Sequence, residues 1–488
     1  MPDHIFTKNN LENILNQAVG KTLKEVDKNN VFDRTKAKPK ITGIAGDVIE
    51  QSVLGYKPDT KQSADLLVDN IPIELKTTGI RYSKRNKKSI EAKEPMSITA
   101  VSPETIVNEE FCTSNFWNKI ARTLFVYYLY DSDKTVKAAE YSNFRIQGYQ
   151  FHQFNDHDVE ILKNDWSIVR NFIKGVDEKD INTEYPKISK LRNQMMYLDT
   201  APKWPHRPRF RLKRAVVTNI VKEHFGTNFE ALTGPNSFNS YEELDEKLHK
   251  FTQLYKNKTM EEIAEELNFP IPDDKQINKS IGEQIVAKMF GAKSNKLRKI
   301  DTFAKLGIIP KTIVQNSKKQ RTEDMKFEPI DFEEWSNKGI ENFEDSYIFD
   351  FFANQTMLYI IFRETDKDTP LEKTIFKGFK RLQFTDEFLQ ENLKPVWEKV
   401  RTMVWNKEVK VSTMHYKNGK TKFTPKTKVP MEETNLPKSK DYNFFVRGTG
   451  QDATKGKNLV LNEQKMYPQY IWIKGSIIIK LLSKVDYV

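Results

Sequence analysis

The chain has 488 residues, enough for two or three domains that each bury a core. Its 38% hydrophobic and 30% charged content is that of a globular protein, and no apolar run reaches membrane-span length. The single cysteine, Cys112, excludes an internal disulfide and a cysteine-rich zinc site, while 79 basic against 67 acidic residues leave a net charge of +12 that favours a polyanionic partner.

The first ten residues lack the apolar core of a signal peptide, so the cytoplasm is the expected compartment. Residues 11–26 read as helical. A second helix is expected over 43–55, with Ile44, Val48, Ile49 and Val53 forming its apolar stripe and Gly55 stopping it. Glu50 sits beside that stripe, as either an ordinary surface acid or a third carboxylate for the site that follows.

That site is the stretch Asp65-Leu-Leu-Val-Asp-Asn-Ile-Pro-Ile-Glu74-Leu-Lys76. Its apolar run, Asp69-Asn70 pair and alternating Ile71, Ile73 and Leu75 predict a two-residue hairpin. If Val68 faces Ile71, then Asp65 faces Glu74. Opposed Cβ atoms lie roughly 5 Å apart, and two carboxylates there repel unless a cation lies between them. Glu74 and Lys76 project from one face, because side chains alternate along a strand. Two acids and an amine at one point suit Mg²⁺-dependent phosphodiester hydrolysis: hard oxygens hold the ion, the ion activates water, and the ammonium favours hydroxide. The plainer alternative is a pair of solvated acids on the wet face of an ordinary hairpin.

Two basic clusters flank this chemistry. Arg81, Lys84, Arg85, Lys87 and Lys88 follow the hairpin, and Lys203, Arg207, Arg209, Arg211, Lys213 and Arg214 are interleaved with Trp204, His206 and Phe210. They read as phosphate contacts or as solvated loops. Between them lie a buried strand over 123–130, preceded by Lys119 and Arg122, and an amphipathic helix over 158–173 carrying Trp166. Gly, Asn, Ser and Pro dominate 226–240, which places the boundary between domains 1–230 and 241–488 there.

The second half repeats the first. Gly46–Gly55 recurs as Gly282–Gly291, an offset of 236 (282 − 46), which carries Asp65 onto Asp301. The buried strand recurs at 356–362, Leu162-Lys163-x-x-Trp166 as Leu393-Lys394-x-x-Trp397, and Phe210-Arg-Leu-Lys213 as Ile471-Trp-Ile-Lys474. Matches in one order predict tandem duplication. At the constant offset Glu50 becomes Val286, Glu74 becomes Pro310 and Lys76 becomes Thr312, so the copy is expected to be catalytically degenerate. It keeps a lysine run, Lys407, Lys410, Lys417, Lys420, Lys422, Lys426 and Lys428, either a solvated loop or a DNA contact. No Gly-x-x-x-x-Gly-Lys-Ser/Thr occurs, so ATP is not expected.

Taken in order, Gly46-x-x-x-Glu50, Asp65, Glu74-Leu75-Lys76-Thr77, Thr113-Ser114 with Lys119, Leu191-Arg192-Asn193-Gln194 and Phe210-Arg211-Leu212-Lys213 resemble MutH and the Sau-type type II restriction endonucleases that cut at GATC. The resemblance implies an α/β fold of the PD-(D/E)xK nuclease class, duplicated in tandem with an inactive second module. It implies Mg²⁺ held by Asp65 and Glu74 with the Leu75 carbonyl, support from Glu50 and Lys76, and an auxiliary role for Lys119. Arg192 and Asn193 become candidates for reading bases, since Arg suits guanine and Asn suits adenine, and Arg209, Arg211 and Lys213 for touching DNA. The implied partner is double-stranded DNA with two GATC sites, the second domain binding one as effector, and dimerisation on DNA stays open. The Asp65–Glu74 spacing is two residues longer than in the relatives, an even insertion that keeps both on one face. Asp69, in the predicted turn, ranks second as the ligand. Arg211 stands where MutH has a tyrosine linked to adenine-methylation sensing. A strand nickase and a non-cutting GATC-binding protein are the alternative readings.

Overall fold

The computed structural model describes residues 4–39, 41–56, 64–83, 89–132, 136–269, 271, 280–318, 323–425, 427–448 and 456–488, with Glu178 as backbone alone. Lys84, Arg85, Lys87, Lys88 and Lys426 lie outside them. The chain forms two compact units. One comprises Met1–Ser132, Val136–Lys247 and Phe290–Ile308, and the other Asp133–Thr135, Leu248–Met289 and Ile309–Val488. Residues 290–308, placed by sequence in the second half, therefore belong to the first unit. No helix among the described residues is long and apolar enough to cross a membrane.

The first unit contains strands β1 (Ile5–Phe6), β2 (Leu66–Val68), β3 (Ile71–Tyr82), β4 (Ile90–Ala92), β5 (Met96–Ala100), β6 (Thr123–Leu129), β7 (Arg145–His152), β8 (Leu198–Ala201) and β9 (Arg209–Leu212). The main sheet runs β1-β2-β3-β6-β7 with β4 on β3, and a smaller sheet runs β5-β9-β8. β3 and β6 pair in parallel, while β2–β3 and β6–β7 are antiparallel. All but the last residue of β6 are buried, which explains its unbroken apolar run. The hairpin turn puts Asp69 and Asn70 at φ +47° and +64°. Two left-handed residues in a row make the tight turn whose twist matches the strands, and Asp and Asn tolerate that region best among residues with side chains.

The expected helix over 11–26 is two helices. Lys8–Ala18 ends ahead of Gly20 at φ +83°, and Thr22 starts Leu23–Val26 with a reciprocal capping box to Glu25. The Thr22 side chain satisfies an orphan N–H of the new helix, so the chain restarts rather than continues. The helix expected over 158–173 spans Asp156–Lys174 and buries Trp166.

The second unit contains β10 (Ile309–Gln315), β11 (Met325–Pro329), β12 (Met357–Arg363), β13 (Ile375–Leu382), β14 (Val411–Thr413), β15 (Glu432–Thr434), β16 (Phe444–Gly448), β17 (Leu459–Leu461), β18 (Gln464–Met466) and β19 (Gln469–Ile473). β10 runs parallel to β12 and β12 antiparallel to β13, as β3, β6 and β7 do. Both antiparallel pairs carry a register shift, Tyr127/Tyr128 in one and Ile361/Phe362 in the other. The sheet β11-β19-β16 has the order and directions of β5-β9-β8. Thr259 caps Met260–Glu266 with Glu262 as Thr22 does with Glu25. Gly46 faces Thr77 and Gly282 faces Thr312; a Cβ would find ordinary contact distance at the first and no room at the second, where helix and strand approach closely.

This register corrects the constant-offset alignment. Glu74 pairs with Thr123 and its N–H donates to the carbonyl of the preceding Arg122, and Ile309 pairs with Met357 and donates to the preceding Thr356 in the same way. Structurally, Ile309 answers to Glu74 and Lys311 to Lys76, so Pro310 and Thr312 are the counterparts of Leu75 and Thr77. By strand register the position level with Glu74 holds Ile309, and the one level with Lys76 holds Lys311. Asp301 is no remnant of Asp65 either. It begins the helix Asp301–Leu306, belongs to the first unit, and accepts from Lys305 Nζ at 2.7 Å.

Candidate active site

The hairpin register puts Leu66 opposite Ile73 and Val68 opposite Ile71, so Asp65 sits just beyond the last β2–β3 pair, level with Glu74. There its side chain replaces a strand: Asp65 Oδ2 accepts from the Leu75 N–H at 3.0 Å. A strand residue directs its N–H and C=O to the same edge, so the Leu75 carbonyl belongs to the edge Asp65 occupies.

Glu74, 3% exposed, is held from two directions. Lys76 Nζ donates to its Oε1 at 2.6 Å, and Lys119 Nζ donates to its Oε2 at 2.9 Å. Lys119 Nζ also lies 3.7 Å from Asp65 Oδ1. One ammonium therefore bridges the two carboxylates, the place where repulsion calls for a cation. Ser114 explains how Lys119 arrives: buried, it accepts from the Trp117 N–H at 3.0 Å and caps the helix Asn115–Asn118, which ends on Lys119.

Glu50 comes from the helix Ile44–Val48, which continues through a wide π-type turn, Ile49–Leu54, to Gly55 at φ +80°. Such turns recur at functional sites. Burial pushes the Glu50 carboxyl up to about 7, with Asp65 and Asp47 adding to the rise and Lys76 opposing it. Burial also raises Glu74, despite Lys76 and Lys119. In both acids the loss of water on burial outweighs the ammoniums beside them. Two carboxylates, a carbonyl on their edge and a nearby third acid make a hard-oxygen set that fits a divalent cation. Among the described residues no three His, Cys, Asp or Glu side chains already stand in metal-binding geometry. Asp69 is turned elsewhere: its two carboxylate oxygens accept from the Lys8 N–H at 3.3 Å.

His4 is the residue sequence reading missed. Its Nδ1 lies 2.8 Å from the Asp65 carbonyl, which can only accept, so Nδ1 carries the proton. The ring packs against Tyr56 with centroids 4.1 Å apart and planes tilted by 32°, and His4 takes φ +55°. Pairing of β1 with β2 brings it there across 61 positions, and no local motif announces that.

The expected DNA contacts fare unevenly. Arg209 is exposed, as is Lys203. Arg207 is exposed too and pairs with Glu104 at 2.6 Å. Arg211 forks onto buried Asp199 at 2.7 and 2.9 Å. Lys213 is buried and donates to the carbonyls of Arg192 and Met195. Arg211 and Lys213 thus hold the smaller sheet and its flanking turn together instead of offering charge to solvent. Arg192 is buried, whereas Asn193 is half-buried with Oδ1 lacking a hydrogen-bond partner.

Residues 54–165 match the family model of the DNA mismatch repair enzyme MutH. That span holds Asp65, Glu74, Lys76 and Lys119. The chain is also 25% identical over 415 residues to the type II restriction enzyme Sau3AI of Staphylococcus aureus, covering 80% of this chain and 79% of that one. The mixed α/β architecture is accordingly PD-(D/E)xK-like in the matched unit. In motif order and in both comparisons, the chain is similar to MutH over residues 54–165 and to the Sau-type restriction enzyme over most of its length.

Proposed function

We propose that the chain is a type II restriction endonuclease that hydrolyses double-stranded DNA at GATC with Mg²⁺. The observation that carries this reading is the Asp65–Glu74–Lys76–Lys119 cluster inside the MutH-matched segment. Asp65, Glu74 and the Leu75 carbonyl would hold the metal, with Glu50 steadying it or its water. A bound divalent ion supplies a more acidic water and stabilises phosphate charge. Lys76, anchored on Glu74, orients the attacking water and favours its hydroxide form. Lys119 balances the two acids, and His4 fixes the Asp65 main chain. Arg209 and its exposed neighbours serve the DNA backbone, and Asn193 is the better placed of the two base-reading candidates. A MutH-like nickase is the second reading, favoured by the family that residues 54–165 match. A binder that does not cut is a third reading, opposed by the intact Glu74–Lys76 pair.

The second unit reads as a degenerate copy that binds a further site as effector. Recurring strand order, capping box and helix–strand glycine support duplication, and Ile309 in place of Glu74 supports loss of chemistry. If effector binding favours the cutting state by a coupling of roughly 1–3 kcal/mol, two-site plasmids are cut several-fold or more faster than one-site plasmids. A short uncut duplex bearing the site should then stimulate the one-site substrate. Equal rates, unmoved by that duplex, contradict the effector role.

A further inference from the structure

In the second unit, β14 and β15 pair antiparallel, Val411 with Thr434 and Thr413 with Glu432, and the chain between them keeps folding on itself. Met414 and Lys422 join the pairing through Met431, Tyr416 bonds Lys420 around a turn with Gly419 at φ +78°, and Thr424 bonds Val429. The result is a small β-meander over residues 410–435 in which no described residue is buried. From Lys410 through Met431 there is no acid, while Lys410, Lys417, Lys420, Lys422 and Lys428 each lack an acidic partner among the described residues. Glu432 and Glu433, at the base, are already paired with Lys457 and Lys438.

Strand alternation sorts the arm into faces. Tyr416, Lys420 and Lys422 share one, with Lys422 Nζ 5.2 Å from the Tyr416 ring centroid, and Tyr416 is 55% exposed. Phe423 is exposed on the other. Short strands with no core beneath them are marginal in water, and a row of like charges adds repulsion. A surface carrying opposite charge relieves both.

We propose that residues 410–435 form a β-arm that lies on double-stranded DNA, its lysines on phosphates and Tyr416 against the sugar edge. Lys420 and Lys422, two residues apart, stand on the order of 7 Å from each other along the strand. That is about two base-pair steps of a duplex. The proposal deepens the DNA-binding part of the reading above and rests on it, but not on cleavage.

The test uses the full chain and a fluorescent 30-base-pair duplex containing GATC, in EDTA, with affinity measured against salt concentration. Each phosphate neutralised contributes about 0.9 to the slope of log affinity on log salt. Replacing Lys417, Lys420, Lys422 and Lys428 together with Ala is expected to flatten that slope by about 3.6 and to weaken binding more than tenfold at 0.1 M salt. Tyr416→Ala is expected to weaken binding severalfold with the slope unchanged. Melting temperature should stay at the wild-type value, since none of the substituted side chains is buried. An unchanged slope in the quadruple variant overturns the proposal. So does a change in oligomeric state in place of a change in DNA affinity, which would make the arm a contact between copies. Wild-type protein that binds the duplex but never cuts it with Mg²⁺ would instead remove the nuclease reading and leave the arm standing.

Discussion

Glu74→Gln and Lys76→Ala should each lower the rate of DNA cleavage by about 10²–10³-fold or more while leaving duplex affinity within about twofold, the range for removing one group aimed at developing charge. Glu74 is where the site converges, accepting from Lys76 at 2.6 Å and Lys119 at 2.9 Å on separate oxygens. The amide of Gln keeps the volume but cannot balance two ammoniums or hold a divalent ion as a carboxylate does. Lys76 is less buried than Glu74 and its loss opens little core, so the expected defect is chemical. Single-turnover cleavage with excess enzyme, together with binding in EDTA, separates the two effects. A variant that cuts at near-normal rates removes its residue from the mechanism, and one that loses binding and cutting together has a folding or docking defect.

The second large effect lies away from the hairpin. Lys305, 4% exposed at its side chain, donates to both oxygens of Asp158 at 3.0 and 2.8 Å and to Asp301 at 2.7 Å. Tyr197 donates its hydroxyl to the same Asp158 at 2.9 Å. Burial alone would lower the Lys305 pKa, yet Asp158 and then Asp301 more than offset it, so the ammonium stays charged. Lys305→Met leaves Asp158 buried with only Tyr197 as partner, and breaking such a pair costs about 3–5 kcal/mol. The first unit should unfold at markedly lower denaturant, with residues 290–308 and the helix Asp156–Lys174 losing hydrogen-exchange protection together. A shift below about 1 kcal/mol would mean that the segment docks through its apolar contacts alone.

How much of this was legible in the sequence depended on how local each feature is. Hairpin, turn, buried strand and the shared face of Glu74 and Lys76 all follow from period-two patterning and one Asp-Asn pair, and they stand in the structure as read. Features that need distant segments were not legible. His4 reaches Asp65 only through β1–β2 pairing, and Asp301 looked like a relic of Asp65 because a fixed offset cannot disclose that 290–308 belong to the first unit. Lys213 and Arg211 looked like phosphate ligands because charge in sequence does not disclose burial, and both serve internal acceptors. The same fixed offset hid Lys311 behind Thr312 until strand register set it opposite Tyr359, as Lys76 is set opposite Phe125.

The most direct measurement is digestion of a supercoiled plasmid carrying several GATC sequences, in Mg²⁺ and in EDTA, with the fragment ends sequenced. Double-strand breaks at or beside GATC in Mg²⁺, and none in EDTA or with Glu74→Gln, are the predicted result. Nicked circles alone would shift the assignment to a strand nickase, and intact plasmid in Mg²⁺ with the protein bound would contradict the nuclease account.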